Sequence, residues 1–183
     1  MDAIPTFLLR ARHWQLFTLL IGLTCVRASI ESGTPISLSA LLAAIVCSAF
    51  VPCWCWSVGS FLNSRVRHDL RGSLSFFRRA VVFPVVNLAV FEIARGRIRP
   101  SYVAALLPFH LFALICVIFE IDFVCMNLVL AETQTRVRFR DYAGSFFLLL
   151  VFPVGIWFLQ PRINRLYGSA SSPPVADTPI FSS

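Results

Sequence analysis

Residues 100–119 read PSYVAALLPFHLFALICVIF, twenty residues that include no Asp, Glu, Lys or Arg. A helix of about 20 mostly apolar residues is long enough to cross the roughly 30 Å hydrocarbon core of a bilayer. The stretch therefore predicts a membrane-spanning helix, and with it an all-α transmembrane bundle.

The whole chain has the same character. Of its 183 residues, 57% are hydrophobic and 14% are charged, and the mean hydropathy is +0.77. The charged share is about half that of an ordinary soluble domain, which excludes a soluble globular protein. A disordered chain needs few hydrophobic residues and a nucleic-acid-binding domain needs a water-facing basic surface, so both are excluded as well. The composition predicts a polytopic membrane protein.

Five apolar runs predict helices over residues 13–30, 37–62, 74–94, 101–130 and 142–160, in one transmembrane domain that covers residues 1–167. The third run has only twelve residues between charges, fewer than a span needs. We therefore predict four spans and one short re-entrant or interfacial helix at residues 74–94. Five spans are the alternative, because arginines at the ends of this helix can snorkel. Residues 168–183, rich in Ser and Pro, predict a disordered cytoplasmic tail.

All sixteen basic residues are arginine, and their distribution predicts the orientation. Cytoplasmic loops carry the excess of Lys and Arg. Five spans with a cytoplasmic N-terminus place ten arginines inside, whereas four spans place twelve inside and four outside. This favours four spans with both termini cytoplasmic. The twelve are Arg10, Arg12, Arg65, Arg67, Arg71, Arg78, Arg79, Arg95, Arg97, Arg99, Arg162 and Arg165.

The first apolar segment has a second interpretation. Arg10 and Arg12, the apolar core and residues 26–28 (VRA) match the three parts of a cleavable signal peptide. Trp14 and Gln15 lie where the apolar core of such a peptide begins, which favours an uncleaved first helix.

The six cysteines all lie in apolar stretches without the spacing of a disulfide scaffold. Cys53 and Cys55, two residues apart on a helix, point about 200° from each other. We expect small buried hydrophobes here, with no metal site and no cofactor.

The second predicted helix has a face of small residues, in which Ala40, Ala44 and Ser48 recur at every fourth position. Small residues let helix backbones approach closely, which is how helices associate in lipid. This face predicts helix packing, either within the chain or against another membrane protein or a second copy.

The fourth predicted helix carries His110, Glu120 and Asp122, the ionisable residues deepest in an apolar run. His110 is the nearest to mid-membrane, and either a structural hydrogen bond or a proton or ligand role fits it. Glu120 lies about 30 Å from the start of the helix, so we expect Glu120 and Asp122 at the opposite interface. There they are available to Arg136, Arg138 and Arg140. These arginines alternate with apolar residues, which predicts an extended segment on anionic headgroups, with Asp141 capping the next helix.

The closing phrase GIWFLQPRIN, residues 155–164, resembles that of an uncharacterised family of small bacterial integral membrane proteins. Residues 13–17 (HWQLF), 56–59 (WSVG), 62–63 (LN) and 108–112 (PFHLF) are similar to the same family. The chain departs at Ser145, where the resemblance implies an acidic residue, so no carboxylate role follows there. The resemblance implies a polytopic architecture and a bacterial source, and no activity.

At the end of this phrase, polar side chains lie where a helix leaves the membrane. Trp157 fits the headgroup level and Pro161 the helix end, and Gln160, Arg162 and Asn164 can bind headgroups or a partner. The group is either an interfacial anchor or, together with Asn63 from the same side, a binding site.

Motifs of catalysis and phosphate binding are absent from the sequence: it has no G-x-S-x-G, H-E-x-x-H or glycine-rich loop. We therefore expect a non-enzymatic packing or interaction protein of the bacterial inner membrane, bound to anionic headgroups and to no nucleic acid. The alternative is a small channel or transporter that uses His110 and the helices bent by proline. A third class is an intramembrane enzyme. The prolines inside the runs are Pro52, Pro84, Pro108 and Pro153.

Overall fold

The computed structural model describes Leu9 and residues 11–31, 38–94 and 100–171. The secondary structure of these residues is helical, without strands, which confirms the all-α class. The helices are α1 (His13–Glu31), α2 (Leu38–Arg65), α3 (Leu74–Ala94), α4 (Pro100–Thr133), α5 (Phe139–Leu150) and α6 (Phe152–Ser171), and a 3₁₀ turn covers His68–Leu70.

Helices α2, α3 and α4 pack against one another and form the centre of the fold. Phe77 of α3 stacks on Phe123 of α4 with ring centroids 4.2 Å apart. The same Phe77 ring lies against Gly59 of α2, where a Cβ would come within 2.6 Å of it. Glycine at position 59 thus lets α2 and α3 approach closely enough to hold this ring.

Three stretches in the described residues are long and apolar enough to cross a membrane: Ile45–Arg65, Leu74–Phe91 and Ala105–Thr133. A shorter apolar stretch, His13–Cys25, lies on α1. Phe109 and Ile115 of α4 are 55% and 61% exposed, a surface that water would solvate poorly. The chain therefore has the features of a membrane protein. The segment with two interpretations, residues 74–94, forms one continuous helix, α3.

The single fifth helix predicted over residues 142–160 is wrong, because the structure divides this run at Val151. Pro153 has no N–H to continue α5, and proline is tolerated in the first turn of a new helix. After the break, α6 packs back on α5. A Cβ at Gly155 would lie 2.5 Å from the Leu148 carbonyl oxygen, so the turn requires glycine. We call this pair the α5–α6 hairpin.

Several helix ends lie together at one end of the bundle. The Gln134 side chain, just after α4, donates to the Arg65 carbonyl and accepts from the Arg67 N–H, which joins the ends of α4 and α2. Near the end of α6, Tyr167 packs on Phe61 with centroids 5.4 Å apart. Because α5 begins five residues after Gln134 and α6 ends near Tyr167, both ends of the α5–α6 hairpin lie at this end of the bundle. We call the connections 66–73 and 134–138, with the adjoining helix turns, the basic end.

Of the alternating arginine segment, Arg136 and Arg138 lie in the connection between α4 and α5, as predicted, whereas Arg140 lies in the first turn of α5. Arg138 has extended backbone angles, φ −105° and ψ 161°. Asp141, the third residue of α5, accepts from the Arg138 N–H at 2.7 Å, so it caps the helix from within its first turn.

Two predictions fall partly outside the described residues. The side chains of Ala40, Ala44 and Ser48 lie outside them, although the α2 backbone at these positions is helical. Of the predicted tail, residues 168–171 continue α6, which corrects its expected start, and residues 172–183 lie outside the described part.

Candidate functional site

Arg162 of α6 binds side chains from two other helices. Its Nε donates to Glu132 Oε1 at 2.9 Å and its Nη2 to Glu132 Oε2, a bidentate pair at the end of α4. Its Nη1 donates to Ser145 Oγ of α5 at 3.0 Å. The arginine and the carboxylate are 36% and 30% exposed, so the pair is partly shielded from water. Bidentate arginine–carboxylate geometry fixes orientation as well as charge, and it joins the hairpin to α4.

A second cluster of hydrogen bonds forms around Gln160, which is fully buried and lies two residues before Arg162 on α6. Trp54 Nε1 of α2 donates to Gln160 Oε1 at 3.2 Å. Gln160 Nε2 donates to the Ala11 carbonyl and to Asn164 Oδ1, each at 3.1 Å. Asn164 Nδ2 also approaches the Ala11 carbonyl, at 3.4 Å. These amides hold together α2, α6 and Ala11, two residues before α1.

The four residues predicted as one site therefore belong to separate places. Gln160 and Asn164 form one cluster, while Arg162, about 200° around the helix from Gln160, contacts Glu132. Asn63 is buried on α2, and its Oδ1 has no hydrogen-bond partner among the described residues. The contacts of Gln160, Arg162 and Asn164 fit helix packing better than a shared binding site.

Glu120 does not lie in headgroup water as predicted. It is 1% exposed, and its Oε1 has no partner in the described part of the chain. Asp122, on the other side of α4, accepts a hydrogen bond from Tyr142 Oη at 2.9 Å. Neither carboxylate pairs with Arg136, Arg138 or Arg140 in this structure, because Glu120 faces the bundle and Tyr142 covers Asp122.

His110 is half-buried on the first part of α4. Its Nδ1 lies 3.0 Å from the Leu106 carbonyl, and its ring meets Phe91 edge-on at 4.8 Å. A carbonyl only accepts, so Nδ1 carries the proton and Nε2 is the acceptor. The bond goes to residue 106, not to the carbonyl of residue 104 that Pro108 leaves without its helical donor. These contacts fit the structural interpretation of this histidine.

The cysteines of the described residues are all free thiols. Cys55, Cys116 and Cys125 are buried as expected, whereas Cys25 and Cys53 are exposed on α1 and α2. In the described ranges no three His, Cys, Asp or Glu side chains come together as metal ligands.

Nine arginines of the described residues are exposed, and six of them belong to the basic end: Arg65, Arg67, Arg71, Arg136, Arg138 and Arg140. Arg67 donates to Asp69 at 2.8 Å, and this bond lowers the pKa of the exposed carboxyl to about 2. Asp69, Glu132 and Asp141 each contact one arginine, and three carboxylates are too few to neutralise the surface, which keeps a net positive charge. The nine are Arg12, Arg65, Arg67, Arg71, Arg79, Arg136, Arg138, Arg140 and Arg165.

Several partners could not be identified from sequence spacing. Glu132 and Ser145 reach Arg162 from 30 and 17 residues away, and Trp54 reaches Gln160 from 106 residues away. Asn127, fully buried on α4, could have been noticed from its spacing, since Glu120, Asn127 and Gln134 recur at every seventh position.

No family model, curated protein or solved structure matches this chain. The likeness of residues 155–164 to a bacterial family thus remains a resemblance, and the role of the protein has to be inferred from its contacts and charges.

Proposed function

We propose that the chain is a multi-pass protein of the bacterial inner membrane, with α1–α4 as four spans and the α5–α6 hairpin as the re-entrant element. The hairpin enters from the basic end, which faces the cytoplasm together with both termini. In support, α5 has 12 residues and is about 18 Å long, too short to cross about 30 Å of hydrocarbon. The hairpin also begins and ends beside the same helix ends.

The arginines support this orientation. Six of the twelve described arginines belong to the basic end. With the proposed topology, twelve of sixteen are cytoplasmic and four, Arg27, Arg95, Arg97 and Arg99, are outside. The ratio equals that of the topology predicted from sequence, but Arg136, Arg138 and Arg140 replace Arg95, Arg97 and Arg99 on the inner side. The positive-inside rule favours both arrangements equally, and the contacts of Gln134 favour this one.

Within this topology, the protein acts by non-enzymatic interaction, binding anionic lipid headgroups at the basic end. The observation that carries the proposal is the set of six exposed arginines on the two short connections and adjoining helix turns of the basic end. Guanidinium groups bind phosphate oxygens with two parallel hydrogen bonds, and each basic residue near an anionic surface contributes about 1 kcal/mol. Arg136, Arg138 and Arg140 alternate with Val137 and Phe139, so apolar and charged side chains meet the interface together.

The test replaces Arg136, Arg138 and Arg140 with Gln in the full chain. In native mass spectrometry from mixed-lipid nanodiscs, retention of phosphatidylglycerol should fall several-fold, while retention of phosphatidylethanolamine stays unchanged. The matched control replaces Arg95, Arg97 and Arg99, which have the same spacing in sequence and fall between α3 and α4. Equal loss in the two variants, or no loss in the first, would refute the headgroup proposal.

The contacts of His110 do not favour the alternative of a channel or transporter built on that residue. Its Nδ1 is bonded to the Leu106 carbonyl and its ring is packed on Phe91. The hydrogen bond gives Nδ1 a structural role, while Nε2 is buried and has no hydrogen-bond partner in the described part of the chain.

A further inference from the structure

Glu120 is the buried acidic residue that helix packing does not explain. Its side chain is 1% exposed and its Oε1 accepts no hydrogen bond from any described residue. None of the ion pairs of the described residues includes it. An ionised carboxylate in such a place loses its hydration and gains nothing in return, whereas the neutral acid costs far less.

The groups around Glu120 do not supply a compensating charge. Cys55 of α2 and Cys116, one turn earlier on α4, are close enough for their thiols to interact with the carboxyl. On α3, the Arg78 guanidinium lies over the Trp56 ring, 5.4 Å from its centroid. On the far side of α4, Asp122 is bonded to Tyr142 of α5. Two thiols interact with Glu120, and no arginine of the described residues forms an ion pair with it.

A polar stripe on α4 leads from Glu120 to the basic end. Glu120 and Asn127 are seven residues apart on α4, which places them within about 20° of each other on the helix surface, and Gln134 follows directly after the helix ends. Gln134 bonds α2 at Arg65 and Arg67, and Cys55 of α2 interacts with Glu120, so the stripe faces α2. Asn127 is fully buried, with Nδ2 bonded to the Phe123 carbonyl and Oδ1 without a partner in the described structure.

Two unpartnered oxygens on one buried face require an explanation, and buried water or a proton is the usual one. We propose that Glu120 is a proton-binding site within the α2–α4 interface, occupied at neutral pH and reached from the basic end along Asn127. Protonation makes a Glu120 carboxyl oxygen an O–H donor. Buried water in the roughly 10 Å of α4 between Glu120 and Asn127 accepts from this O–H and donates to Asn127 Oδ1. This site does not depend on the proposed binding of lipid.

Infrared spectroscopy of the full chain in nanodiscs tests the protonation state. At pH 7 the wild-type protein should show the C=O stretch of a protonated carboxylic acid, and Glu120→Gln should lose it. The matched control, Asp122→Asn, removes a carboxylate two residues away and should keep the band. Absence of the band from the wild-type protein, or its persistence in Glu120→Gln, would overturn the proposal.

The pH dependence of the Tm tests the protonation of Glu120 independently of the infrared C=O band. A buried acid binds its proton more tightly in the folded than in the unfolded protein, so stability falls as the pH rises through its titration. The Tm of the wild-type protein should therefore fall more steeply than that of Glu120→Gln as the pH rises from the ordinary titration range of a glutamate to the pH at which the buried acid ionises, because Gln is neutral throughout. Equal pH profiles of the two proteins would contradict the proposal.

The path along Asn127 is tested by isotope exchange. After transfer to D₂O, the shift of the acid band should be at least about tenfold slower in Asn127→Leu, because the water that carries the proton loses a partner. Ser57→Ala is the control, since Ser57 is equally buried but bonds the Cys53 carbonyl on its own helix. An unchanged rate in Asn127→Leu would show that protons reach Glu120 by another path.

Discussion

The Arg162 side chain contacts two helices besides its own, through Glu132 of α4 and Ser145 of α5. The resemblance of the closing phrase implied an acidic residue at position 145. Here the serine accepts one N–H, and the carboxylate comes from Glu132 instead. A partly exposed pair of this kind contributes modestly to stability, but its fork geometry is specific to arginine.

Replacing Arg162 with Lys keeps the positive charge and removes the planar guanidinium that binds both Glu132 oxygens. A lysine cannot bond both Glu132 oxygens and Ser145 with this geometry, so we expect a loss of about 1 kcal/mol, seen as a lower Tm in detergent. Arg138→Lys, at an exposed position on the connection before α5, is the matched control and should leave the Tm unchanged. A wild-type Tm for Arg162→Lys would leave Arg162 with the role of an interfacial anchor only.

The sequence indicates which polar residues make contacts, but it does not indicate their partners. The pattern singled out Gln160, Arg162 and Asn164 as polar groups at a helix end, and all three bind neighbours. Gln160 and Asn164 do share a cluster, but Arg162 does not join them, because residues two apart face different sides of a helix. Glu120 was placed at the interface from its distance along α4 alone, which says nothing of the helices packed around it.

At the scale of the element, the α5–α6 hairpin depends on the break at Val151 and on Gly155. A side chain at position 155 meets backbone atoms, the Leu148 carbonyl oxygen at 2.5 Å and the Leu149 Cα at 2.7 Å. Neither atom can rotate away as the end of a side chain could, so the two helices would have to separate.

Gly155→Ala should therefore destabilise the protein by about 2 kcal/mol or prevent the hairpin from closing. Gly144→Ala is the matched control, because Gly144 lies within α5 and a Cβ added there would meet nothing within 4 Å. This control should be neutral or slightly stabilising, since alanine favours helix over glycine by roughly 0.5–1 kcal/mol. The free energy of unfolding in mixed micelles measures both, and equal values for the two variants would contradict the hairpin geometry.

The elements show why hydropathy alone predicted part of the fold. Long apolar runs predicted helices because length and composition suffice for that inference. The run 142–160 predicts one helix because no charged residue interrupts it, although Pro153 is a signal for a break. Reversal of the chain at this point depends on Gly155 meeting Leu148, a contact between helices that no periodicity reports.

At the scale of the whole molecule, the ends of α2, α4 and α6 lie together with the start of α5. The charge count could not distinguish this arrangement from the one expected from sequence, because exchanging two sets of three arginines leaves the ratio of twelve to four unchanged. The contacts of Gln134 distinguish them, since they bring the connection 134–138 beside the connection 66–73.

The re-entrant topology is tested by the side of the membrane on which the two ends of the hairpin lie. Single cysteines at Thr135, Gly168 and Gly96, in a chain whose six native cysteines are replaced, can be labelled in intact cells with a membrane-impermeant maleimide. We predict that Gly96→Cys reacts from outside, whereas Thr135→Cys and Gly168→Cys react only after the membrane is permeabilised. Reaction of Thr135→Cys and Gly168→Cys from opposite sides would mean that residues 139–171 cross the bilayer, and would contradict the re-entrant hairpin.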